Sequence, residues 1–239
     1  MKLSLREEIE SGSKSAVLKI NIIRYYINNG ADTLAELGRE MDLSVPTVTK
    51  LVAELIEDGF VVDFGKQETT GGRRPNRYGV NPDSGYFMGI DMKKTYINIA
   101  LINFNGSIVS SNMEIPFHQE NTQENLDQLC DIINDFVGHL TVPKDKILSV
   151  GINITGRVNR ETGHSYSRYF FNDRSLSEIF HERLGLITSI DNDSRAMAYG
   201  EFMGGLVKGE RDVLFVNVSW GLGLGIILDG KLYYGKSGF

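Results

Sequence analysis

Apolar residues recur at helical spacing from Ser13 to Asn29, at Val17, Ile20, Ile23, Tyr26 and Ile27, and Gly30 follows as a C-cap. This predicts a first helix. Thr33-Leu34-Ala35-Glu36 has the form of a capping box, in which the threonine oxygen takes a free backbone N–H and the glutamate reaches back to the cap. A short second helix to about Met41 is expected from it. Ser44 can cap a third, where Pro46 is tolerated because first-turn N–H groups have no helical partner. Along that helix Val48, Leu51, Val52, Leu55 and Ile56 form one apolar stripe ending at Gly59, while Thr47, Lys50 and partly Thr49 occupy the opposite face. Phe60-Val61-Val62 and Arg77-Tyr78-Gly79-Val80 then read as two strands around the tip Gly71-Gly72-Arg73-Arg74-Pro75.

Two helices joined by a tight turn, with small polar and cationic residues early in the second, match a helix-turn-helix whose recognition helix enters the major groove N-terminal end first. The hairpin is then a wing. Its glycines let backbone approach phosphates, and its arginines can reach phosphates or a narrow minor groove. Pro46, Thr47, Thr49, Lys50, Gly71, Gly72, Arg73, Arg74 and Arg77 are the candidate DNA-contacting residues. The alternative is a small helical bundle whose arginines are solvated loop charges.

Beyond the turn-rich Asn81-Pro82-Asp83-Ser84-Gly85 come strand-like runs at 86–91, 96–103 and 107–115, the last two joined by the hairpin signal Asn105-Gly106. A helix-like stretch at 122–140, a buried-strand run at 147–154, an amphipathic segment near 176–184, a strand at 186–190 and a helix over 194–203 follow. The opening pattern then recurs: an apolar run at 212–218, the Gly-rich Gly221-Leu222-Gly223-Leu224-Gly225, apolar Ile226-Ile227-Leu228, and a second Xaa-Gly turn at Asp229-Gly230. Such a repeat is what a duplicated, two-lobed fold contains.

Composition narrows the class. An apolar content of 41% over 239 residues is ordinary for a soluble chain of two domains. No run of 18 apolar residues exists, the first residues lack the apolar core of a signal peptide, and one cysteine allows no internal disulfide, so a cytoplasmic protein without a membrane partner is expected. Net charge is −6, and residues 1–82 hold 11 Lys+Arg against 12 Asp+Glu. The DNA-reading segment is therefore not basic as a whole. Residues 71–77, however, contain three arginines and no acid, and the potential at the contact surface outweighs the sum. The four histidines have no metal-ligand spacing, so no metal is expected in this piece.

The first segment resembles the winged helix-turn-helix of bacterial regulators in the ROK family (repressors, open reading frames and kinases), where the Gly-Gly-Arg-Arg-Pro wing is a familiar mark. The remainder looks like the ROK version of the actin-like (ribonuclease H-like) ATPase and sugar-kinase fold. The fold class expected is thus α/β with an N-terminal winged helix-turn-helix at 1–82, a first kinase-like lobe at 83–209, and an incomplete second lobe at 210–239. The family continues into a Gly-Glu-x-Gly-His segment and a cysteine cluster holding structural zinc. Neither occurs here, so the chain reads as a piece of a longer protein, with zinc expected only in the missing part and no cofactor in this one.

Several site residues follow from the resemblance. The family's first phosphate turn, Asp-x-Gly-x-Thr, is here Asp91-Met92-Lys93-Lys94-Thr95, with a lysine where glycine lets backbone meet the nucleotide. The Gly221–Gly225 stretch is a second nucleotide turn or an ordinary hairpin corner. Asp191-Asn192-Asp193-Ser194-Arg195 is similar to the Asn-Asp-Ala-Asn motif, whose aspartate is the kinase base. That implies Asp193 as a vestigial base and Asn192 as a sugar-binding amide, or Asp193 as nothing more than a helix N-cap. Thr155-Gly156-Arg157-Val158 resembles the Pro-Gly-x-Val turn, with Gly156 against the sugar or simply turning the chain. Asn172 is a further hydroxyl partner. A sugar-responsive repressor without catalysis is implied, a homodimer or higher homo-oligomer binding a double-stranded operator and a small sugar. The alternative is an active kinase phosphorylating a hexose with ATP.

Overall fold

The computed structural model describes residues 11–66, 75–170, 173–219 and 221–236. Two compact units emerge, residues 1–85 with 103–107, and the remainder.

In the first unit, α1 (Lys14–Asn29) ends at Gly30, whose φ of 78° is open to glycine without strain. The apolar phase differs from expectation. Val17 and Ile27 face solvent, and the buried face runs through Ala16, Lys19, Ile22, Ile23 and Tyr26. The stripe is turned because Lys19, polar in sequence, lies fully inside with its ammonium 2.9 Å from Glu54. A two-residue strand β1 (Asp32–Thr33) precedes α2 (Leu34–Glu40), and Thr33 accepts the Glu36 N–H as cap. The expected reciprocal bond differs: the Thr33 hydroxyl donates to the Glu36 carboxylate at 2.8 Å, while the Thr33 N–H goes to Asp32 Oδ1. Helix α3 (Val45–Glu57), capped by Ser44, buries Val48, Leu51, Val52 and Leu55. Ile56, expected in that stripe, faces outward. Strands β2 (Val61–Lys66) and β3 (Asn76–Val80) pair antiparallel, and β1 adds to β3 through Asp32↔Tyr78 and Thr33↔Arg77, giving a three-stranded order β1-β3-β2.

The second unit is built on a five-stranded sheet of order β10-β7-β4-β5-β6. Its strands are β4 (Tyr86–Met92), β5 (Tyr96–Asn103), β6 (Ile108–Pro116), β7 (Ile147–Ile154) and β10 (Thr188–Asn192). β4, β7 and β10 are parallel, and β5–β6 is the antiparallel hairpin that Asn105-Gly106 predicted. Helices α4 (Gln123–Gly138) and α5 (Leu176–Leu184) contribute Leu126, Leu129, Ile133, Ile179 and Phe180 to its core. Cys130 belongs to that core, and burial pushes its thiol up to about 11, which makes it an inert packing residue. A short ribbon β8–β9 (Val158–Asn159, His164–Ser165) leads to α5. After α6 (Asp193–Gly204), strands β11 (Val213–Val218), β12 (Leu222–Leu228) and β13 (Lys231–Leu232) form a separate antiparallel sheet.

Of the Gly-rich stretch only Gly221 lies at the corner between β11 and β12, and the rest is strand. Gly223 and Gly225 lie within β12, where a Cβ would stand 1.9 Å from Ser194 Oγ and 2.3 Å from Ala198 Cβ respectively. Glycine there lets the strand press onto α6.

Candidate functional site

Two surfaces carry the chemistry. On α3, Pro46, Thr47, Thr49 and Lys50 are all exposed, opposite the buried stripe. Ser44 Oγ accepts the Thr47 N–H and lies 2.8 Å from the Thr47 hydroxyl, and Thr49 Oγ1 donates to the Val45 carbonyl. The hydroxyls are thus pre-set by the helix, each still able to accept a further donor. Lys50 has no ion pair among the described residues. Gly71, Gly72, Arg73 and Arg74 lie outside the described residues. Arg77 stands on β3 with its guanidinium donating to the Ala31 carbonyl, and it shares a network with Asp32. Its charge therefore also serves to close the sheet.

That network titrates. Burial pushes the Asp32 carboxyl up, but bonding with Glu36 and Tyr25, the Thr33 N–H and the charge of Arg77 outweigh it and hold the group below its ordinary range. The 2.5 Å bond to Asp32 and partial burial push the Tyr25 phenol up to about 12. A raised phenol favours the neutral form, so this contribution is complete below pH 10 and lost as pH rises towards about 12. The Asp32 contribution has the opposite sign and is lost as pH falls through its depressed value. Thermal unfolding of wild type and Tyr25→Phe between pH 9 and 12 should give a difference that shrinks with rising pH. A constant difference would mean the bond has no role in that limb.

The second surface is a cleft of about 890 Å³ in the second unit. The parallel register sets Asp91 beside Asn153 and Asn153 beside Asp191, so the three strands end together and their turns converge on this cleft, as expected at the carboxyl edge of a parallel sheet. Asp193 is among its lining residues. Its Oδ1 accepts from Asn192 Nδ2 at 3.0 Å and the Ser194 N–H at 2.8 Å, and its Oδ2 accepts the Thr155 hydroxyl at 3.2 Å. The helix cap is Asn192, not Asp193: Asn192 Oδ1 accepts the Arg195 N–H at 3.1 Å, and its Nδ2 also donates to the Gly156 carbonyl at 2.9 Å. The physical reason is one of phase: Asp193 already has helical geometry at the first position, leaving the extended residue before it to cap.

Gly156 has φ 104°, and a Cβ there would meet Ser167 at 2.4 Å, so close packing of the turn is enough to require glycine. Asn172 lies outside the described residues. Lys93 folds back, its ammonium 3.0 Å from Asp91 Oδ2, while Asp91 Oδ1 is buried without a hydrogen-bond partner. The lysine of this turn is thus already paired within the turn. Gln119, Arg168, Asn217 and Tyr234 line the same cleft and were not singled out from the sequence. They arrive from loops and the returning hairpin, whose path no local pattern encodes. Thr155 could have been found, since it directly follows a strand at that edge. Among the described residues no cluster of His, Cys, Asp or Glu is arranged to hold a metal, and no helix is long and apolar enough to cross a membrane.

The ROK family profile matches residues 87–239, well over half of the chain, and a winged helix-turn-helix DNA-binding profile matches residues 17–62. The chain belongs to the ROK family. Among its relatives is the xylose repressor of Caldicellulosiruptor bescii, 33% identical over 226 residues, covering 92% of this chain and 56% of the relative. The ROK chain thus spans little more than half the length of such curated relatives. A ROK family transcriptional regulator homologous to the E. coli MLC protein shares the fold over 93% of this chain and 57% of its own, with a TM-score of 0.73 at 24% identity. A ROK glucokinase from Streptomyces griseus, solved with glucose and AMPPNP, matches 64% of this chain and 48% of its own at a TM-score of 0.54 and 28% identity. The winged-helix module and the sugar-kinase-like α/β fold are both present in this ROK chain.

Proposed function

We propose that this ROK protein is a sugar-responsive, DNA-binding transcriptional repressor whose kinase-like domain binds a small sugar without catalysis. One observation carries it: a helix α3 with an exposed polar face and a cleft lined by the Asp193 carboxylate share one chain, while the turn that would receive nucleotide phosphate holds the Lys93–Asp91 ion pair. In this reading Thr47, Lys50 and the wing arginines meet a double-stranded operator, and Asp193, Asn192 and Thr155 bind sugar hydroxyls. The protein acts in the cytoplasm as a homodimer, and effector binding favours one arrangement of the paired DNA-binding modules over another. The relatives named as xylose repressors support D-xylose as the first effector to try. The test is salt-dependent binding of the protein to the DNA upstream of its gene, with and without D-xylose, D-glucose and N-acetylglucosamine. Affinity that no sugar changes would remove the sensor claim.

The retained Asn192–Asp193 pair and the likeness to a glucokinase favour a second reading, an active hexose kinase. ATP consumption that Asp193→Ala abolishes would establish it. With Lys93 ion-paired in the phosphate turn, no sugar-dependent ATP consumption above background is expected.

A further inference from the structure

Where the ROK motif Asn-Asp-Ala-Asn has its last asparagine, this chain has Arg195. The residue is 5% exposed, and its guanidinium joins segments distant in sequence. Nε donates to Asp191 Oδ1 at 2.8 Å, Nη2 approaches the same oxygen at 2.7 Å, and Nη2 donates to the Val158 carbonyl at 2.8 Å. Its own backbone N–H supplies the cap bond to Asn192 Oδ1. The guanidinium carbon also lies 5.4 Å from the centre of the Tyr234 ring, just past β13. Arg160, after β8, lies 5.5 Å from the same ring and donates to the Tyr234 hydroxyl.

We propose that Arg195 is the positioning residue of the cleft, holding its three walls in register around Asp193. The proposal rests on the carbohydrate reading of that cleft. The two turns that meet at Asp193 are Thr155-Gly156-Arg157-Val158 and Asp191-Asn192-Asp193. Arg195 grips the far end of the first at Val158 and the start of the second at Asp191. The Thr155–Asp193 and Asn192–Gly156 bonds close the same loop from the other side. Through Tyr234 the guanidinium adds the hairpin that leads out of the separate sheet of β11, β12 and β13. Only a planar fork can serve these directions at once: an ammonium is a point donor and stacks less well on a ring.

The test compares Arg195→Lys, Tyr234→Leu and Tyr234→Phe in the whole protein. Sugar affinity is measured by titration calorimetry, whose stoichiometry separates weaker binding from a smaller folded fraction. For a sugar that the wild type binds, Arg195→Lys should weaken affinity tenfold or more and Tyr234→Leu at least threefold. Tyr234→Phe, which keeps the ring but loses the bond from Arg160, should weaken it less than Tyr234→Leu does. Amide exchange over residues 231–234 of the sugar-free protein gives a second readout, and Arg195→Lys should accelerate it tenfold. If the wild type binds no sugar, the carbohydrate reading fails and exchange alone decides the strut. Unchanged exchange with Arg195→Lys, or unchanged affinity at full stoichiometry, would overturn the proposal. Should Arg195→Lys not fold, Tyr234→Leu against Tyr234→Phe decides it on both measurements.

Discussion

Replacing Glu54 with alanine is expected to cost the first unit about 3 kcal/mol, read as a fall of roughly 12–24 °C in its unfolding midpoint. Lys19 is fully buried, and its ammonium lies 2.9 Å from a carboxylate that is itself mostly enclosed. Removing one partner of such a pair leaves the other charge buried without it, which costs far more than the pair contributes when intact. Because Glu54 retains some contact with water, the low end of the usual 3–5 kcal/mol range for broken buried pairs (about 3) applies. Lys19→Met combined with Glu54→Leu should recover most of the loss, since similar volumes then fill the site with no charge to solvate. Calorimetry of the whole chain checks both variants. A cost below about 1 kcal/mol for Glu54→Ala would mean that other groups or water satisfy the ammonium. The pair joins α1 to α3, so under the proposed DNA-reading role of α3 Glu54→Ala should also weaken operator binding, whereas the double variant restores the packing and should bind nearly as wild type.

That same pair marks where sequence reasoning reached its limit. The caps at Thr33 and Ser44, the buried stripe of α3 and the hairpin at Asn105-Gly106 were legible because each is a local rule: an oxygen at the right offset, a repeat of three and four, a turn that needs positive φ. The phase of α1 was not, because a lysine counts as polar in any periodicity and only its distant partner makes burial tolerable. The glycines of β12 misled in a related way. Glycine signals close approach, but the sequence does not say whether backbone, ligand or helix does the approaching, and here it is α6. In the cleft, Asn192 and Asp193 could be found by motif, yet the groups arranging them could not. Val158 is 37 residues from Arg195, and the Arg160 contact to Tyr234 spans 74. What sets the site is long-range, and only the chain fold brings it together.

Removing both arginines of the proposed wing, Arg73→Ala with Arg74→Ala, is expected to reduce the slope of log affinity against log salt by about 1.8, at about 0.9 per phosphate neutralised. Affinity at physiological salt should drop between about tenfold and a hundredfold, and by the same factor on operator and random DNA, because phosphate contacts carry no sequence information. Lys50→Ala, on the exposed face of α3, should behave differently. A side chain reading a base edge costs about 1–3 kcal/mol on the operator and less on random sequence, so discrimination falls. The paired measurement therefore separates two roles that a single affinity would merge. If the arginine variant leaves both slope and affinity in place, the tip does not reach the backbone, and DNA binding by this domain would rest on the α3 face alone. If Lys50→Ala instead weakens all sequences equally, that lysine is a phosphate contact, and sequence discrimination must fall to Thr47 and Thr49, the exposed hydroxyl residues on either side of it.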